Sequence, residues 1–424
     1  GSSVMLNGNV DDAAYLRLET SDGGYIYIKT ETGTDEYLKS LENINADSTW
    51  NKDLSGFYEY EQPDISKLKG SALDASFVLD GPAGKYGFVQ RDCDKFVCID
   101  NGNKTPIQFW GTNIGGKGAF PDTHDEADMI ADSIAAAGFN IVRIHNVDGV
   151  SRPNVFGNAN SGKQLDDTQM EKLCYLLSAL KQRGIYFFID LTCGRQVYAD
   201  DGLQDTQYLK NGFKGVCFYD EDIMSILEDY SEMYLSYVNP YTGLALKDDP
   251  AMACIDFNNE NTLFSFDFDS IRGSKYYTEL KSLYNKWLAD KYGTRSALVS
   301  AWSTTNMGYM TTGLESGEDP SNGTVEITGD GQAVRDGKTV YYTTARQIDE
   351  LKFIGEVTDK YFARRTQHLR NLGVKCALTG NTSYGDLQPE VWYANSKTDF
   401  VDTHLYWSHR SGGENLLDEG TRFD

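Results

Sequence analysis

The feature that most constrains this chain is an alternation of amphipathic helices with short, almost continuously apolar strands, from about residue 107 onward. Thr123-His124-Asp125-Glu126 reads as a capping box. The run after it puts Met129, Ile130, Ile134 and Ala137 on one helical face and stops at Gly138. A strand, Asn140 to His145, follows. The next helix carries Met170, Leu173, Leu177 and Leu180 on one face, ends at Gly184, and leads into Ile185 to Leu191. The unit then recurs. A helix over about 221–238 precedes Ala251 to Phe257, helices near 275–292 and 346–371 precede Val374 to Thr379, and Phe400 to Tyr406 is the last strand. Strands apolar on both faces with helices between them are parallel strands covered by helices.

Six such strands fall at about 107–113, 140–146, 185–192, 252–259, 374–381 and 400–406. A doubly wound sheet would open with a glycine-rich phosphate turn, and Gly111-Thr112-Asn113-Ile114-Gly115-Gly116 lacks that spacing. The fold class is therefore α/β, a (β/α)8 TIM barrel over residues 76–424 with about six of its eight strands present. Residues 306–345, rich in Gly, Thr and Asp, read as a long loop between two helices.

Ahead of the barrel, residues 1–75 form an N-terminal β-rich module, whole or part of a β-sandwich. Tyr15 to Glu19 and Tyr25 to Lys29 alternate with a period of two, and Gly23-Gly24 suits the turn between them. From Ser76 a second short β segment leads to the first barrel strand.

Of 424 residues, 39 are Lys or Arg and 63 are Asp or Glu, a formal charge of −24. That charge disfavours a nucleic-acid backbone and an anionic membrane surface as partners. No apolar run approaches the ~20 residues of a spanning helix. Seven cysteines without a C-x-x-C pair argue against a disulfide scaffold or zinc cluster. Cys93 and Cys98, on either side of a short turn, leave a hairpin bridge open. Five histidines without metal-site spacing point to no metal and no cofactor.

In a parallel barrel the active site gathers at the carboxyl ends of the strands. Those ends carry Asn113; Arg143, His145 and Asn146; Asp190; Asn258, Asn259 and Glu260; Asn381; and His404, Tyr406 and Trp407. Amides, charged groups and an indole face suit a sugar's hydroxyls and its apolar ring face. Asp190 and Asp256 read as structural.

Asn259-Glu260 at the end of an apolar strand resembles the fourth strand of the clan A retaining glycoside hydrolases, which include family 5 cellulases and mannanases. Gly111-Thr112-Asn113 resembles the first strand of that clan. Gly138 to His145, with its Arg and His, resembles the second, and Thr403-His404-Leu405-Tyr406-Trp407 resembles the sixth. The resemblance spans about residues 75–424. It implies that Glu260 is the general acid/base, with a raised pKa, and that Asn259 binds the sugar 2-hydroxyl. It further implies that Arg143 orients the nucleophile, while His404 and Tyr406 position nucleophile and sugar. Asn113, His145 and Trp407 complete the substrate lining.

The clan's nucleophile is a Glu on strand seven, and Glu390, Glu414 and Glu419 do not end apolar strands. Strands seven and eight with the nucleophile are then expected from a missing segment or a companion chain. The function implied is retaining hydrolysis of β-glycosidic bonds in a polysaccharide or oligosaccharide, by a secreted or cell-surface protein because polymers are met outside the cell. The alternative is a non-catalytic carbohydrate-binding barrel lacking the nucleophile.

Overall fold

The computed structural model describes residues 69–149, 153–158, 161–210, 212–263, 268–329, 331–381, 383–384 and 389–404, with the three strands β1 Val4–Leu6, β2 Tyr15–Glu19 and β3 Tyr25–Lys29. The chain divides into two compact units, residues 1–63 with 405–424, and residues 64–404. In the first, β1, β2 and β3 form an antiparallel sheet in that order, with Leu18 opposite Ile26. The two alternating segments are strands, as their period requires. Their Gly23-Gly24 turn lies outside the described residues.

The second unit begins with a short 3-10 turn at Ser76–Val78 and an antiparallel meander of β4 Phe88–Asp92, β5 Lys95–Asp100 and β6 Asn103–Ile107. Next come the parallel strands β7 Gly111–Gly115, β8 Ile141–His145, β9 Tyr186–Asp190 and β10 Met252–Asn258. The hairpin β11 Gln332–Arg335 and β12 Lys338–Tyr341 precedes the fifth parallel strand, β13 Ala377–Asn381. The sheet order is β13-β10-β9-β8-β7, every pair parallel. Just past β13, β14 Ser383–Tyr384 pairs in parallel with β15 Thr403–His404. Parallel strands thus add in chain order, as in a barrel wall. A closed barrel is not formed by the described residues.

Two expectations need correction. The first parallel strand starts at Gly111, not at 107. Ile107 pairs antiparallel with Phe96 and belongs to the meander. An uninterrupted apolar run conceals where one strand ends and the next begins. The meander packs at the amino-terminal end of the sheet. Cys98 Sγ lies 3.5 Å from the hydroxyl of Tyr186, the first residue of β9, Phe96 meets Phe400 edge-on, and Phe109 meets Tyr186 edge-on. Cys93 is exposed and Cys98 buried, and both are free thiols.

The second correction concerns the first helix, α1 His124–Ala136. Its buried face is Ala127, Ala131, Ile134 and Ala135, whereas Met129 is 60% exposed. Small side chains let this helix lie close to the sheet. Thr123 Oγ1 accepts from Glu126 N–H as a cap should, but the Glu126 carboxylate reaches back to Asp122 N–H, one residue beyond the capping-box position. In α2 Asp167–Gln182, Met170, Leu173, Leu177 and Leu180 are all buried, as their spacing requires. Gly138 and Gly184 end these helices with φ of 74° and 83°, the left-handed region in which a side chain would be strained.

Residues 306–345, expected as a long loop, hold a 3-10 turn at Pro320–Asn322 and the β11–β12 hairpin. α3 Glu221–Leu235 lies against the carboxyl-terminal half of α6 Thr344–Asn371, where Arg364 pairs with Glu221 and Glu228. Tyr361 of α6 bonds Asn258 at the carboxyl end of β10, so residues 344–360 rise past that edge of the sheet by ~25 Å at 1.5 Å per residue. α4 Lys275–Tyr292 runs antiparallel to this projecting part: Tyr284 and Trp287 meet Phe353, and Lys291 pairs with Asp349 at 2.7 Å. α5 Arg295–Ala301 and the β11–β12 hairpin complete an annex above the sheet's carboxyl edge. One of its ion pairs is Arg346 with Glu318, two bonds of 2.6 and 2.8 Å with Arg346 fully buried. No helix among the described residues is long and apolar enough to cross a membrane.

Candidate active site

β10 is the central strand, and all seven of its residues are buried. Its carboxyl end holds Asn258 against Tyr361, leaves Asn259 5% exposed, and passes into Glu260 with φ of 41°. A glutamate in the left-handed region is costly, and such strain is kept where surrounding contacts fix the backbone. One of those contacts is Asn259 N–H donating to Thr192 O at 2.8 Å. The Glu260 side chain is 19% exposed.

His404, at the end of β15, links Glu260 to the rest of the site. Its Nδ1–H donates to Glu260 Oε1 at 2.5 Å, and its Nε2 accepts from Arg143 Nη1. The ring is thereby held from both sides. Arg143, on β8, also donates through Nε to Asp190 at 2.5 Å, and through Nη2 to Asn259 at 3.0 Å and Asp256 at 3.4 Å. Its guanidinium lies over the Phe188 ring. His145 donates through Nδ1 to the second oxygen of Asp190, and its Nε2 sits 3.9 Å from Cys193 Sγ.

Arg143, His145, Asn259, Glu260 and His404 are therefore brought together. Asn113 lies in register with Arg143 on β7, at the edge of the sheet and exposed. Tyr406 and Trp407 lie outside the described residues. Asp190 and Asp256, read from the sequence as structural, have fully buried side chains paired with Arg143. A charged residue within an apolar strand was the available signal. Asp148 was missed. It is fully buried and accepts from the N–H groups of Cys193 and Gly194, pinning the turn after β9.

The electrostatics follow from these contacts. Burial alone would raise the Glu260 carboxyl. The hydrogen bond and charge of His404, then the charges of Lys214 and Arg143, outweigh it and hold the group below the usual carboxylate range. This corrects the expectation of a raised pKa. Burial would lower the Arg143 guanidinium, but Asp190 and Asp256 reverse this and raise it. Burial, followed by the charge of Asp190, pushes Asp256 well up. Burial pushes Asp148 up to about 6. Among the described residues no group of three or more His, Cys, Asp and Glu is placed to hold a metal ion.

No protein-family model matches this sequence, and no curated protein matches it. Among solved structures, the chain is similar to an endo-1,4-β-mannanase from Rhizomucor miehei (19% identity, TM-score 0.35), covering 48% of this chain and 58% of that one. It is also similar to an endo-β-1,4-mannanase from Thermotoga petrophila (14%, TM-score 0.30, 70% and 67%) and to an agarase (14%, TM-score 0.43, 80% and 54%). The chain thus spans little more than half the length of the first. All three likenesses fall below 25% identity and a TM-score of 0.5, so the functional reading rests on this chain's own residues.

Proposed function

We propose that the chain carries the acid/base half of a retaining glycoside hydrolase acting on β-linked polysaccharides or oligosaccharides. The observation that carries this reading is Glu260: a partly exposed carboxylate at a strained strand end, beside Asn259 and bonded through one oxygen to His404. In the first step Glu260 protonates the departing glycosidic oxygen. In the second its carboxylate takes a proton from the attacking water. Asn259, braced by Arg143, offers its amide to the sugar 2-hydroxyl. Mannan-type and cellulose-type chains are the first β-linked substrates to try.

The nucleophile has to be a second carboxylate about 5–5.5 Å from Glu260. Asp190 and Asp256 are unsuited, being fully buried and bound to Arg143. Among the described residues β7 pairs only with β8, so its other edge can take a further parallel strand. We place strands seven and eight, and the nucleophile, on a segment or companion chain that pairs there and beyond β15. A polymer substrate puts the protein outside the cell or on its surface.

A second reading, carbohydrate binding without turnover, is favoured by the depressed Glu260 pKa, which leaves little acid at neutral pH. Assay of the chain together with the segment or companion chain that supplies the nucleophile, on mannan, cellulose derivatives and aryl β-glycosides, decides between them. Turnover lost in Glu260→Gln supports the hydrolase. Binding of the same glycans without turnover supports the second reading.

A further inference from the structure

A large cavity among the described residues lies in the annex rather than at Glu260. It encloses about 910 Å³, between the start of α4, the ascending segment 326–329 and the β11–β12 hairpin. That is the upper end of the range for small-molecule sites, roughly 300–1,000 Å³. By contrast, the cavity touching Asn259 holds about 10 Å³.

Two observations tie the groove to the same face as Glu260. Phe268, on its floor, belongs to the connection from β10 to α4 that begins with Asn259 and Glu260. Lys275, at the start of α4, pairs with Asp222 in the first turn of α3, at the level of the sheet's carboxyl edge. The groove is also firmly built. Arg272 stacks over Phe268 and Tyr277 and donates to Tyr277 Oη and Ile327 O, while Glu326 accepts from Tyr277 and Lys281.

The lining chemistry selects the ligand class. Each guanidinium already faces an acid: Arg272 pairs with Asp269 at 2.9 Å, and Arg335 with Glu315 at 3.1 Å. A phosphate or sulfate would meet no uncompensated cation. The lining mixes Gln332, Thr328, Asp269 and Glu326 with the apolar side chains of Ala333 and Val334. Polar groups beside apolar ones suit the hydroxyls and C–H faces of a neutral sugar.

We infer that this groove is a distal binding site for a neutral oligosaccharide, holding sugar units away from the scissile bond. The inference rests on the glycan reading of the active site, but its binding test does not require turnover. Val334 is 68% exposed on a hairpin strand, so Val334→Trp fills the groove without touching the core. Asp269, with its side chain 89% exposed, gives a second variant, Asp269→Ala.

Titration calorimetry of the full chain with cellohexaose, mannohexaose and a sulfated hexasaccharide tests it. The expected result is that a neutral hexaose binds and that Val334→Trp weakens it about tenfold, a change of ~1.4 kcal/mol. Asp269→Ala weakens it less, and hydrolysis of short aryl β-glycosides is unchanged in both. No binding of either neutral hexaose, preference for the sulfated one, or unaltered affinity in Val334→Trp overturns the proposal. So does an equal loss on aryl glycosides, which would put the groove inside the catalytic cleft. If wild type supplied with the nucleophile-bearing segment turns over no glycoside and Val334→Trp still weakens hexaose binding, the catalytic reading fails and the groove stands.

Discussion

His404 Nδ1 donates to Glu260 Oε1 at 2.5 Å, while its other ring nitrogen is held by Arg143. One imidazole thereby joins the carboxylate at the end of β10 to the buried charge network of β8 and β9. The residues that would perform catalysis are mechanically and electrostatically one unit, and their substitution has separable consequences.

Glu260→Gln keeps the shape of the group and removes its proton transfer. Turnover of substrates with poor leaving groups should fall by about 10²–10⁴, the usual contribution of a general acid/base, while substrates with activated aryl leaving groups lose less. Steady-state kinetics on a series of leaving groups measures this. Equal losses across the series would remove Glu260 from the acid role.

His404→Ala removes the donor that keeps the Glu260 carboxyl low, and burial then pushes it up. A general acid works while protonated, so activity falls as pH rises through its pKa. The basic limb of the kcat/KM profile should therefore move to higher pH in the variant. An unmoved limb with a lower plateau would mean that His404 acts only by position.

Arg143→Met leaves Asp190 and Asp256 buried without their cation. Breaking a buried ion network from one side costs about 3–5 kcal/mol. Urea unfolding should show a loss of this order, and Asp256→Asn in the same chain should restore part of it. A loss within the range of a surface substitution would show that Arg143 does not hold this network together.

Asp148 is an acid whose folded pKa, about 6, lies above its ordinary 3.8. Between these values the folded state holds a proton that the unfolded chain has lost, so its share of stability falls as pH rises from about 4 to 6 and is constant above. At ~1.4 kcal/mol per pKa unit, that share is about 3 kcal/mol. Unfolding midpoints of Asp148→Asn against wild type from pH 4 to 7 should show this slope only in wild type.

Much of this architecture is legible in one dimension. The helices over 167–182 and 275–292 end where glycine and periodicity place them, because a stripe every 3.6 residues and a left-handed stop are local properties. The candidate site is legible to the same extent. Polar residues at the ends of apolar strands mark Arg143, His145, Glu260 and His404, whose convergence follows from parallel strands sharing one carboxyl edge. The face that α1 buries was not legible, because alanine and methionine both suit a helix and only the closeness of the sheet selects alanine. Nor was the boundary at Gly111, which is set by the antiparallel pairing of Ile107 with Phe96.

By itself the sequence determined the class of elements, their order and the strand end on which each polar group falls, since these depend on neighbours a few residues apart. Tertiary structure alone decided that Arg143 is shared among Asp190, Asp256, Asn259 and His404, partners between 47 and 261 residues away. It also decided that Glu260 is held low rather than raised, and that residues between β10 and β13 stand as an annex enclosing a groove. A pKa and a cavity are sums over groups brought close by folding, and sequence separation carries no measure of that closeness.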